Sequence, residues 1–159
     1  MRNVIYAINT TMDGCVDHTK QFVDEEKLEY FTHLTREGDV QVFGRKTYQL
    51  MVPYWPEILK NQSETKADTE FARAFVSTNK IVFSRSLDSV EDRNTRIVRG
   101  NLRDEILKLK QEQGKNILVG GVDIPSQLIE LGLVDEYRFV VGPIVAGEGR
   151  RLLEGVNLP

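Results

Sequence analysis

Ile117-Leu118-Val119-Gly120-Gly121-Val122-Asp123-Ile124 passes from a short apolar run, through paired glycines, into residues of a different period. A short run apolar at each position predicts a strand covered on both faces. Beyond it Ile124, Leu128 and Leu131 recur at i, i+4 and i+7, which predicts a helix between Asp123 and Gly132. Outward from this stretch the same change of period repeats. Val4-Ile5-Tyr6-Ala7-Ile8, Val40-Gln41-Val42-Phe43, Ile81-Val82-Phe83 and Tyr137-Arg138-Phe139-Val140-Val141 predict further strands. Leu28, Phe31 and Leu34 predict a helix over 24–37 with Gly38 as its stop. Leu102, Ile106 and Leu109 predict another, with Asn101 as N-cap and Gly114 past its end. Strands alternating with helices define an α/β domain built on a largely parallel sheet. The region 53–69 breaks the rhythm. It opens Pro53-Tyr54-Trp55-Pro56 and closes on a polar run through Lys66, predicting a mobile excursion with a helical turn over 57–60.

A chain of 159 residues fits one domain, and no internal repeat divides it. Its 21 Lys and Arg against 24 Asp and Glu leave a net charge of −3, which argues against a partner held by blanket phosphate neutralisation, such as nucleic acid. Cys15 is the single cysteine, so no intrachain disulfide and no Cys-rich zinc site is expected. His18 and His33 leave little for a metal cage. No stretch approaches the roughly 20 apolar residues of a membrane span. The first residues run straight into a strand pattern without a cleavage site, so a cytoplasmic protein is expected.

In an open α/β sheet, ligands bind beyond the carboxyl ends of the strands, where helix N-termini offer free N–H groups. Val42-Phe43-Gly44-Arg45-Lys46-Thr47 ends a strand in glycine and adds two cations and a hydroxyl. Glycine lets the backbone approach an anion; a tight turn with two solvated cations is the plainer alternative. Val119-Gly120-Gly121-Val122-Asp123 makes room for a pyrophosphate beside a helix start, or serves a turn that needs a positive φ. Phe83-Ser84-Arg85-Ser86 pairs a hydroxyl with a guanidinium, which suits a phosphate monoester such as the one that distinguishes NADP from NAD. Gly147-Glu148-Gly149 lacks the third glycine of a dinucleotide fingerprint.

Val42-Phe43-Gly44-Arg45-Lys46-Thr47-Tyr48 resembles the strand and helix start of the dihydrofolate reductases. Ile117-Leu118-Val119-Gly120-Gly121, then Leu131-Gly132-Leu133-Val134-Asp135-Glu136, then Gly142-Pro143-Ile144-Val145-Ala146-Gly147-Glu148-Gly149 resembles the C-terminal reductase domain of the riboflavin-biosynthesis deaminase/reductase RibD. Thr11-Met12-Asp13-Gly14 resembles that family's early loop. The resemblance implies a dihydrofolate reductase-like three-layer fold, a central mixed but mostly parallel sheet flanked by helices, with NADPH across the strand ends.

Carried over by position, Ala7 and Ile8 line the nicotinamide pocket through their backbone. Gly44, Arg45, Lys46 and Thr47 contact the phosphates from one side, and Gly120, Gly121 and Val122 from the other. Ser84 and Arg85 hold the 2′-phosphate. Asp13 is the expected polar group at the reacting end and Glu26 a second candidate for proton delivery; Tyr54 and Trp55 are expected to wall the substrate. Where dihydrofolate reductases carry a pteridine-binding carboxylate, anchoring on Leu28, Phe31 and Thr35 puts Lys27, with Glu26 one residue earlier. The expected function is an NADPH-dependent reduction of a small heterocyclic or sugar-linked imine or carbonyl. Folate reduction and NADPH binding without turnover are the alternatives. A small-molecule substrate is implied, and a homodimer fits the resemblance.

Overall fold

The computed structural model describes residues 1–61, 65–90 and 92–159. Its strands are β1 (Val4–Thr10), β2 (Gly38–Gly44), β3 (Asn79–Phe83), β4 (Thr95–Val98), β5 (Asn116–Val119) and β6 (Glu136–Val141). The helices are α1 (Glu25–Glu37), α2 (Arg45–Asn61), α3 (Lys66–Ser77), α4 (Leu102–Gln111) and α5 (Asp123–Glu130). The six strands form one sheet in the order β4-β3-β2-β5-β1-β6.

Successive residues of the inner strands enter opposite cores, which is why their sequences read as continuous apolar runs. Val4, Tyr6, Val42, Ile81, Ile117 and Val119 pack with Ile106 and Leu109 of α4 and Ile124 and Leu128 of α5. On the other face Phe43 and Val82 join Tyr48 of α2 and Phe71 and Phe75 of α3. Ile5 and Leu118 meet Leu34 of α1. Thus α1, α2 and α3 cover one face, and α4 and α5 the other.

The helix signals at α1 and α4 act as expected. Asp24 accepts a hydrogen bond from the Lys27 amide at 2.9 Å, and Gly38 is the C-cap that turns directly into β2. Asn101 accepts from the Asp104 amide at 3.0 Å.

Three expectations are corrected. The sheet expected to be mixed is parallel at each described ladder; the described antiparallel contact is the isolated bridge Cys15–Arg151. The excursion expected over 53–69 is instead the second half of α2, which contains Pro53 and Pro56, followed by α3. Tyr48, Met51, Val52 and Trp55 recur at helical spacing against the Phe71–Phe75 core, and this burial outweighs the two lost N–H donors. Of the polar run there, Gln62, Ser63 and Glu64 lie outside the described residues. Finally β6, expected to be covered on both faces, is an edge strand whose Tyr137, Phe139 and Val141 are exposed.

Candidate functional site

Strands β2 and β5 are neighbours, with Val42 paired to Val119. The chain leaves β2 into α2 on one face of the sheet and leaves β5 into α5 on the other. Two adjacent strands whose helices diverge in this way open a crevice at their carboxyl ends, the topological switch point where α/β sheets bind ligands. Helix α2 begins at Arg45, immediately after Gly44. Helix α5 begins at Asp123, and its N-cap, Val122, supplies no capping side chain. First-turn N–H groups of both helices therefore face the crevice without a partner from their own helix.

The glycines bring the two walls together. Gly121 has φ +82°, and a Cβ there would overlap Thr47 Oγ1. Gly44 lies opposite Ile124, with room for a Cβ only 3.4 Å from Cγ1. The Gly120 amide donates to the Val42 carbonyl at 3.1 Å, tying one junction to the other strand. Tyr6 donates its hydroxyl hydrogen to the Gly121 carbonyl at 3.0 Å. Burial pushes the Tyr6 pKa up, which keeps that donor protonated. Asp123, the acidic residue of α5's first turn, is paired with Arg150 at 3.2 Å, so its charge opposes an incoming anion less. Gly44, Arg45, Lys46, Thr47, Gly120, Gly121 and Val122 are thereby gathered at one place.

The third junction lies one strand further, since Gly44 pairs with Phe83. Ser84 Oγ accepts from the amides of Leu87 at 3.0 Å and Ser86 at 3.3 Å, so much of its capacity is spent on the turn. Arg99 clamps this loop, donating to the carbonyls of Ser84, Arg85 and Leu87 at 3.3, 3.2 and 2.5 Å. Nothing in the sequence pattern singled out Arg99. Arg85 itself is exposed and pairs with no carboxylate among the described residues.

The other expected site residues lie on β1, α1 and α2. Ala7 packs toward Phe31 of α1, while Ile8 faces the opposite core. Glu26 is exposed on the first turn of α1. Trp55 sits edge-on to Phe71 at 4.5 Å and to Tyr54 at 4.9 Å, within the packing of α2 on α3. Seven residues of helix put Tyr54 roughly 10 Å along the axis from Thr47, so neither aromatic joins the glycine junctions. Two cavities, of about 390 and 340 Å³, lie at the other end of the sheet, the first lined by Arg2, Asp39, Asn79 and Arg96, the second by Thr35 and Ser77. Neither is lined by a residue of the switch point.

Asp13 is fully engaged within the protein. Its carboxylate accepts from Thr11 Oγ1 at 2.5 Å and from the amides of Gly147 and Ala146 at 2.8 and 3.1 Å, and it pairs with Arg151 at 3.1 Å. These bonds, the Thr11 hydroxyl first, hold its pKa well below the usual carboxylate range. A carboxyl with a depressed folded pKa stabilises the fold above the unfolded value and loses that contribution as pH falls through the folded one. Acid unfolding is therefore expected to loosen the 142–151 segment once the pH drops below the ordinary Asp value of 3.8. Hydrogen exchange at Ala146 and Gly147 should accelerate in that window, and Asp13→Asn should exchange fast at neutral pH as well. Unchanged protection in Asp13→Asn would remove Asp13 from this role.

The RibD C-terminal domain family model matches residues 2–159. Uncharacterized protein YyaP of Bacillus subtilis (strain 168) is 31% identical over 160 residues, covering 98% of this chain and 82% of that protein. Uncharacterized protein YwjB of the same organism is 26% identical over 141 residues, covering 86% of this chain and 70% of that protein. In shape the chain is similar to a putative riboflavin biosynthesis protein from Shewanella sp. PV-4, with TM-score 0.64, 21% identity and coverage of 95% and 82%. It is also similar to a pyrimidine reductase-like protein from Corynebacterium diphtheriae, with TM-score 0.61, 15% identity and coverage of 97% and 79%. No helix among the described residues is long and apolar enough to cross a membrane. The match over nearly the whole chain, on a fold shared with these structures, means that the chain belongs to the RibD C-terminal domain family.

Proposed function

We propose that the protein is an NADPH-dependent reductase that delivers hydride to a small heterocyclic or sugar-linked imine or carbonyl, a reaction of the kind catalysed by the riboflavin-pathway reductase. The observation that carries this reading is the contact of Gly121 with Thr47 at the switch point. It joins two glycine-bearing helix starts into one cradle of unspent N–H groups, which fits a pyrophosphate. Lys46 and Arg45 add charge on the α2 side, and Arg85 lies one strand further along the same edge, where a 2′-phosphate would be held. NADPH bound there supplies the hydride. The chain's own part is to hold the dinucleotide by the phosphates, to seat the nicotinamide end along Ala7 and Ile8, and to fix the acceptor against it. Asp13 is assigned a positioning role, holding the 146–147 backbone, because its oxygens are already used.

Calorimetry with NADPH and NADH tests the reading directly. Micromolar or tighter binding with a preference for NADPH supports it, and no binding of either cofactor overturns it. Arg85→Ala is expected to weaken NADPH by about ten- to hundredfold, the worth of a charge-assisted contact, and NADH by less than about twofold. Equal losses for the two cofactors would remove Arg85 from the 2′-phosphate. Oxidation of NADPH would then be screened with dihydrofolate and with the riboflavin-pathway pyrimidine.

A further inference from the structure

On the face covered by α4 and α5, a cavity of about 390 Å³ opens where the last turn of α4 meets the amino ends of β2, β3 and β4. Its base is apolar, formed by Val40, Ile81 and Leu109 of the same core. Its rim is polar and carries Asn79, Arg93, Arg96 and Glu112. The volume falls in the range of small-molecule sites. Along β2 the cavity lies roughly 13 Å from the Gly44 junction, the rise of the four residues after Val40.

The charges around this cavity fall into two groups. Some are committed within the fold. The buried Arg2 donates to the carbonyls of Lys115 at 2.8 Å and Leu109 at 3.4 Å. It also pairs with Asp39, whose other oxygen accepts from the Lys115 amide at 3.0 Å. Lys80 turns to the opposite face, where it meets the Thr78 carbonyl at 2.9 Å, Asp92 at 3.7 Å and the Phe75 ring. The other charges are available. Arg93 has no hydrogen bond or ion pair among the described residues, and Asn79 makes no side-chain hydrogen bond there. Arg96 reaches Glu105 only at 3.9 Å, and a largely exposed pair at that distance contributes little. Glu112 is the carboxylate left to oppose an anion among the cavity's described lining residues.

The backbone that carries the two arginines is held in place. Asn94 donates its side-chain amide to the Val76 carbonyl at 3.0 Å, and its own carbonyl accepts from the Lys80 amide at 2.7 Å. Arg96 stands on β4, in register with Ile81. Groups fixed in this way lose less freedom when a ligand binds.

We propose that this cavity is a second ligand site, one that takes a small phosphate monoester. Two uncommitted guanidiniums suit a dianion better than a singly charged carboxylate, and a monoester carries about −1.5 to −2 charges at neutral pH. The apolar base receives the organic body, and Asn79 meets a polar group on it. The site stands apart from the cofactor crevice and does not depend on the reductase reading.

Phenyl phosphate, inorganic phosphate and phenol separate the contributions of charge and body. Each is titrated into the isotopically labelled protein and followed by amide chemical shifts and calorimetry. Phenyl phosphate is expected to bind about tenfold or more tightly than either of the others, with shifts centred on 79–81 and 93–96. Arg93→Gln and Arg96→Gln should each weaken it by about tenfold, with melting temperatures close to wild type because both side chains are exposed. Glu112→Gln should strengthen it by about two- to fivefold, a gain that a merely structural role for these residues would not produce. Phenyl phosphate no tighter than phenol, affinity unchanged in both arginine variants, or shifts confined to 44–47 and 120–123 overturns the proposal. The last of these would put the phosphate at the switch point instead.

Discussion

Gly121→Val is expected to abolish measurable NADPH binding, a loss of at least about a hundredfold. Gly121 sits at φ +82°, a backbone region that β-branched residues adopt only under strain. The added side chain would also overlap Thr47 Oγ1, so it separates the two walls of the crevice as well as straining its own backbone. Left-handed geometry at a non-glycine residue costs roughly 1–2 kcal/mol. For a domain of this size that lowers the melting temperature by roughly 2–8 °C, so the variant remains folded and can be titrated. Gly120→Ala separates a local effect from a general one. A Cβ at Gly120 meets no protein atom within 4 Å, and its φ is not in the left-handed region. Its melting temperature should therefore match wild type, and a fall in NADPH affinity without a fall in stability is the expected sign that the added methyl group meets the cofactor. Undiminished affinity in both variants would place the cofactor elsewhere.

Phe43→Ala is expected to produce the largest loss of stability, about 3–5 kcal/mol, the usual cost of deleting a buried aromatic. Phe43 is 2% exposed and lies in the cluster of Tyr48, Phe71, Phe75 and Val82. Its ring packs on Tyr48 at 6.3 Å, which ties the last turn of β2 to the first turn of α2. Removing it leaves a cavity directly beneath Gly44 and Arg45. Thermal unfolding should show a drop of roughly 10 °C or more. NADPH affinity should fall too, because the α2 N-terminus loses the contact that aims it. A stability loss with unchanged affinity would mean that α2 is held in place by α3 alone.

Helix α1 was legible to its caps, since Asp24 and Gly38 act on the backbone within a turn of themselves. The three strand-end junctions were legible for the same reason: a glycine or a cation after a β run is a local signal. Helix α2 was misread where Pro53 and Pro56 argued locally for a break, and the aromatic core behind them outweighed that argument. Strand β4 was missed because Thr95-Arg96-Ile97-Val98 is four residues long and Arg96 is exposed. Asp13 looked like a free carboxylate because its partners, Ala146, Gly147 and Arg151, lie at the far end of the chain. Arg99 showed no signal, since a loop clamp is defined only by the carbonyls it reaches.

The sequence by itself determined five of the six strands, three of the helices and the glycines and cations at the strand ends, because period, capping and glycine placement are enforced over a few residues. Tertiary structure alone decided that β5 lies between β1 and β2, and so that Gly121 meets Thr47. It also decided that Lys80 and Lys110, both buried, each meet a carboxylate. Strand order and ion pairing are chosen by contacts between distant segments, and these depend on how two cores close on either side of the sheet.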